Sequence, residues 1–258
     1  MVLIAAFSYL TAAGLLLQGG NQAGAARGRW LALGALGVVL HAGYHALVAW
    51  QTPGGPDLHF FAALSLVSLG MAGLTSLVAT RGQLTALPLV AYPLAAILLV
   101  VYHLHGRAPA VQLGWRLETH AWMALLAYAT LTIGTLLALM LQVQERALRR
   151  RSFTNYSRRL PPLHELETLL FRTITAGFIL LSATLLTGVL FVDDLLAQKL
   201  VHKTVLSVLS WLVFGTLLLG RWRWGWRGKK AVRLTLIASV LLLLAFFGSK
   251  AAIELVFR

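Results

Sequence analysis

Cysteine is absent from this sequence of 258 residues. That excludes disulfides, thiolate metal ligands and thioether attachment of any group. Charge is scarce: Asp, Glu, Lys and Arg together make up 12%, where a soluble domain carries about 25%. The eight carboxylates (Asp57, Glu118, Glu145, Glu165, Glu167, Asp193, Asp194 and Glu254) all stand between or at the ends of apolar stretches. A carboxylate inside an apolar stretch, the usual mark of a proton- or cation-coupled carrier, is therefore missing. No zinc-protease motif, phosphate-binding glycine loop or nucleophile constellation appears, which argues against a hydrolase or an ATPase. The expectation is a protein that is not an enzyme by itself. The first apolar stretch begins at Val2 with no basic region before it and no convincing cleavage site, so it reads as a retained span rather than a signal peptide.

What remains is apolar. Hydrophobic residues make up 59%, in charge-free blocks of roughly 17 to 25, the length that crosses about 30 Å of hydrocarbon as a helix. A transmembrane β-barrel would instead alternate over segments of about ten residues. The expected fold is an all-α polytopic transmembrane bundle in one integral membrane domain, 1–258. Its eight spans are expected at about 2–18, 30–50, 59–80, 84–104, 120–143, 168–191, 201–220 and 231–247. Trp30 and Trp50 bracket the second span, as expected at the two interfaces. Pro88 and Pro93 predict a kink in the fourth, and Trp115 suggests a short surface helix before the fifth. No repeat of two matched halves is apparent, which weakens an inverted-repeat transporter.

The net charge of +14 points to orientation in the lipid bilayer, not to nucleic acid. With both termini extracytoplasmic, sixteen of the 22 basic residues fall in cytoplasmic loops and their flanks. These include six arginines between Glu145 and Pro161 and the run from Arg221 to Arg233. That asymmetry predicts a multi-pass protein of the bacterial inner membrane with both ends outside.

In this topology seven of the eight histidines face one compartment or its adjoining membrane half, and His164 alone is cytoplasmic. His103 and His105 read as solvated, His59 as interfacial, and His164 as a loop or helix-start residue. His41 lies roughly 16 Å into its span, near the midplane, where a titratable group is costly and usually functional. His45 shares its face one turn on. His120 and His202 stand at the outer ends of two helices. Neutral imidazole suits zinc, copper or haem iron. His41 and His45 cannot hold opposite faces of one haem, so any bis-histidine site must pair helices, for example His120 with His202.

Several segments carry a family resemblance. His120 to Leu131, HAWMALLAYATL, resembles the helix of the cytochrome c assembly family (the CcsA, ResC and CcmC-like haem handlers) that opens on an outward histidine followed by Ser-Tyr-Ala; Ala127 stands for the serine here. Lys203 to Phe214, Gly225-Trp226-Arg227-Gly228 and Phe247-Gly248 are similar to later motifs of that family. The overall match resembles its YpjD branch. The resemblance implies two membrane and two outward histidines as haem ligands, with His41 at the first membrane position and His120 at the first outward one. The expectation drawn from it and from the outward histidines together is haem b held at its iron through His41 and His120, with His202 or His45 as a second ligand. The chain departs from the family at three points. Leu218-Leu219-Gly220 and Ser249 to Arg258 lack the two later histidines, and VDDLLAQKLVHK replaces the tryptophan-rich outer segment. The Trp222, Trp224 and Trp226 cluster is on the inner side and reads as an interfacial anchor. The expectation is therefore haem binding or handling at the outer membrane half without full haem-attachment activity, with another membrane or periplasmic protein as a further partner. Two alternatives remain: a non-haem accessory or regulatory subunit of another membrane complex on the same scaffold, and a solute or metal transporter.

Overall fold

The computed structural model describes residues 1–19, 25–50, 56–80, 86–106, 113–150, 162–191 and 201–248. Everything else, including Asp193, Asp194, Lys199 and the segment after Gly248, lies outside the described residues. Among the described residues the protein is helical throughout, without strands. The helices are α1 (Val2–Gly19), α2 (Ala25–Tyr44), α3 (Phe60–Thr80), α4 (Pro88–His105), α5 (Trp115–Arg150), α6 (Leu163–Phe191), α7 (Val201–Trp224) and α8 (Lys229–Leu243). π-helical turns at His45–Ala49 and Leu244–Gly248 continue α2 and α8.

Six of these helices are long and apolar enough to cross a membrane: α2 with its π turn, α3, α4, α5, α6 and α7. The first helix is apolar but shorter. The protein is thus a polytopic helical membrane protein, and its surroundings are lipid. A helix is the shape such surroundings enforce, because hydrocarbon offers no partner to a backbone N–H or C=O.

The chain forms two compact units, α1–α4 and α5–α8. In the first, α1 packs on α2 and α4, while α3 packs on α2 and α4. In the second, α5 packs on α6 and α8, while α7 packs on α6 and α8. Each is therefore a closed ring of four helices in chain order, a likeness that the residue pattern alone does not disclose.

Several boundaries differ from the expected spans, for local reasons. The fifth helix starts at Trp115, because Glu118 N–H donates to Gly114 O and Thr119 Oγ1 donates to Trp115 O. The supposed surface helix is thus the first turn of α5. At 36 residues, α5 is roughly 54 Å long and outruns the hydrocarbon. Arg221 to Trp224 form the last turn of α7 rather than a loop. The second helix begins at Ala25, which puts Trp30 in its second turn. There it is buried in one cluster with Leu16 and Ala79 in the first unit's core. Pro93 lies inside α4, which runs on through it to His105.

Packing inside each ring relies on small residues and on side-chain hydrogen bonds, as expected where lipid competes for apolar contact. In the second unit, Tyr128 Oη donates to Leu242 O at 2.8 Å and Ser210 Oγ donates to Ala238 O at 2.8 Å. Trp211 Nε1 donates to Ser182 Oγ at 2.8 Å, and Thr135 and Ser239 hydroxyls meet at 2.6 Å. In the first, Arg27 donates to the carbonyls of Ala79 and Thr80 at 2.9 and 2.7 Å. A cation there answers the negative end of α3. The α5–α6 approach depends on Gly177, where an added Cβ would stand 2.5 Å from Leu131 Cδ2 and 2.7 Å from its Cγ. Gly177→Val is predicted to destabilise the purified protein by about 1–3 kcal/mol through overpacking, read as a lowered Tm in detergent. Gly14→Ala, facing open space, should leave Tm near wild type.

Candidate functional site

Two polar clusters stand out, one in each unit. In the first unit α2 aims His41 and His45 at the same side, one helical turn apart, and both are fully buried. Their Nε2 atoms lie 2.9 and 3.0 Å from one oxygen, Ser65 Oγ on α3. A serine hydroxyl carries a single proton. At least one of the two imidazoles therefore donates its N–H to Ser65 Oγ. His41 Nδ1 is 3.5 Å from Tyr9 Oη. His45 Nδ1 is buried without a hydrogen-bond partner. The two imidazoles stack at 5.5 Å, and His45 lies flat on the Tyr102 ring at 5.1 Å and 5°. The π turn begins at His45, whose carbonyl accepts from Trp50 N–H at 3.0 Å. Such turns recur at functional sites.

At the same end of this unit, Asp57 is buried at 1% exposure. His59 Nδ1 meets its Oδ1 at 2.7 Å, and Tyr102 Oη donates to its Oδ2 at 3.2 Å. His103 pairs with Tyr44 Oη at 3.1 Å, and His105 stacks on Phe61 at 3.8 Å.

In the second unit a cavity of about 240 Å³ lies among α5, α6, α7 and the π turn after α8. His120 lines it from α5, Thr184 and Gly188 from α6, Lys203 and Ser207 from α7, and Phe246 from the π turn. The rest of the wall is mostly aliphatic. Val189 and Val208 belong to that wall and are 69% and 38% exposed, so the cavity opens on the outer surface of the unit. Gly188 permits the close approach of α6, since a Cβ there would meet His120 Cε1 at 3.2 Å.

The orientation of His120 follows from its neighbour. Thr187 Oγ1 lies 2.9 Å from Ala183 O and 3.0 Å from Thr184 O on its own helix, and 3.1 Å from His120 Nδ1. When its proton goes to the helix, Thr187 accepts from His120 Nδ1–H, and in that tautomer the lone pair is left on Nε2. A hydrogen bond of this kind on the far ring nitrogen is how proteins orient a metal-binding imidazole.

The fit of these residues to a haem differs between the units. His120 offers an oriented imidazole, and apolar walls suit a porphyrin. The volume is below the roughly 300–1,000 Å³ of an ordinary cofactor pocket. His120 is the one imidazole among the described lining residues. His202 is exposed and does not line the cavity. His41 and His45 do not fit iron in this packing: His41 has both nitrogens engaged, and His45 is sandwiched between rings. Their shared approach to Ser65 also rules out opposite faces of one ring. Among the described residues no cluster of three or more His, Cys, Asp or Glu could hold a metal ion.

The family model described as cytochrome C assembly protein matches residues 30–256. The chain belongs to the cytochrome c assembly protein family. The inner membrane protein YpjD of Escherichia coli (strain K12) is 30% identical over 98% of this chain and 98% of its own length. An uncharacterized 28.8 kDa protein of Azospirillum brasilense is 40% identical over 56% of this chain and 53% of its own. The cytochrome c biogenesis protein CcsA of Prochlorococcus marinus is 28% identical over 54% of this chain and 52% of its own. No solved structure matches.

Residue types alone pointed to the histidines of both clusters but not to Ser65, Tyr9 or Thr187, which decide what those histidines can do. Ser65→Ala would orphan two buried imidazole nitrogens, each costing about 1–3 kcal/mol. A drop in Tm well beyond that of Ser68→Ala is predicted, because the Ser68 hydroxyl returns only to the Ser65 carbonyl of its own helix.

Proposed function

We propose that this protein is a bacterial inner-membrane member of the cytochrome c assembly family, with eight spans and both termini extracytoplasmic, that binds haem b in the outer half of the second unit through His120. The observation that carries the proposal is the 3.1 Å contact of Thr187 with Nδ1 of His120, which orients this imidazole at the wall of an apolar cavity. When bound, a haem would supply an iron centre able to change oxidation state. The chain's own part is to bind and orient it. Thr187 orients the imidazole ring, and aliphatic residues of α5–α7 exclude water. His41 and His45 serve this unit's partner bundle as a hydrogen-bonded pair, not as iron ligands. With no tryptophan-rich segment and no second imidazole in the cavity, the protein handles haem without completing its attachment.

A second reading, a non-haem accessory subunit on the same scaffold, is favoured by the closure of His41 and His45 on Ser65, which removes the family-implied membrane ligand. Haem titration of the purified protein separates the two. The expected result is a Soret band for wild type that His41→Leu retains and His120→Ala loses. Thr187→Val should weaken haem affinity roughly 10–100-fold, the usual effect of removing an outer-shell partner. No band in wild type, together with a stoichiometric protein partner on purification, would establish the accessory reading instead.

A further inference from the structure

A second cavity lies at the opposite end of α5 from His120. It occupies about 690 Å³ between the last turns of α5 and the first turns of α8. Arg146 and Arg149 line it from α5, Lys229 and Arg233 from α8, and Glu145 is the only carboxylate among its described lining residues. The single ion pair among the described residues is Asp57 with His59, so none of these four cations is matched by a carboxylate. Four like charges on one crevice repel each other and call for an anion.

The crevice is not a simple surface cup. Its floor is Val232, which is buried, and Leu236. Ile237 extends it along α8 and is 41% exposed. Beyond it the same two helices expose Val143 and Leu139 on α5, at 39% and 40%, and Val240 on α8, at 53%. The helices run antiparallel here, as the Thr135–Ser239 hydrogen bond requires. The cations therefore crown an apolar track descending one to two turns into the bilayer. An anion with an apolar tail satisfies both parts, whereas a free anion satisfies only the first. A zwitterionic headgroup brings its own cation into a site already in positive excess.

We propose that this crevice is a binding site for an acidic phospholipid, its phosphate held by Arg146, Arg149, Lys229 and Arg233 and one acyl chain lying in the α5–α8 groove. Basic pockets between membrane helices commonly take such headgroups. The site is independent of the haem cavity, which takes its ligand at the other end of the second unit.

The test titrates the detergent-solubilised, lipid-stripped full chain with phosphatidylglycerol, phosphatidylcholine or inorganic phosphate while following Tm, with native mass spectrometry counting the lipids retained. Phosphatidylglycerol is expected to raise Tm saturably and to be retained in preference to phosphatidylcholine, and inorganic phosphate is expected to give no shift. Arg146→Gln/Arg233→Gln should weaken the phosphatidylglycerol effect roughly 25-fold, at about fivefold per cation. Arg223→Gln/Arg227→Gln, exposed cations that do not line the crevice, should leave it unchanged. Equal shifts with the two lipids would overturn the site even if the crevice variant fails to fold. A full shift with inorganic phosphate alone, or equal loss in both double variants, would overturn it as well.

Discussion

Hydrocarbon offers no hydrogen bonds, and the rest of this structure follows from that. A polar side chain carried into the bilayer must find its partner within the protein. The chain's serines and threonines meet the demand mostly by returning their protons to their own helices, as Thr130, Thr175, Ser182 and Thr184 do. Such a hydroxyl keeps its lone pairs for a neighbouring helix, and Thr187 on α6 meets His120 Nδ1 on α5 in this way. Ser65 is a different case: its hydroxyl serves two imidazoles at once and ties α2 to α3 at the point where α2 changes pitch.

The two histidine groups thus differ in kind, although they look alike in the sequence. His41 and His45 are enclosed, mutually stacked and joined through one serine, which makes them part of the first unit's packing. His120 is half-buried, held at one nitrogen and open at the other, beside a cavity. Burial distinguishes them, and burial depends on which neighbouring helices close over each residue.

Most of the fold was legible in the residue pattern, because hydropathy over some twenty residues is a strong signal. Boundaries were not. Trp115 sits five residues before the expected start of its span, since nothing between Gly114 and His120 breaks a helix. The earlier start of α2 puts Trp30 in the helix's second turn, and its burial in the first unit's core could not be read from its place in the sequence. The shared face of His41 and His45 could be read from their spacing of four, but Ser65 lies on another helix and no local pattern points to it. Thr187 was equally invisible: by sequence it is one of many membrane threonines, and only the approach of α6 to α5 at Gly188 gives it an imidazole. The four-helix rings were hidden for a similar reason, because ring closure by α1 with α4 and by α5 with α8 is a long-range contact.

The proposed haem site rests on one imidazole, His120, at the wall of the second unit's cavity. The most direct measurement is haem binding by His120→Gly with and without free imidazole, followed by the Soret band of the purified protein. If Nε2 of His120 is the ligand, the variant loses the band and imidazole, entering the space vacated beside Thr187, restores it. A band that persists in His120→Gly without imidazole would contradict the account.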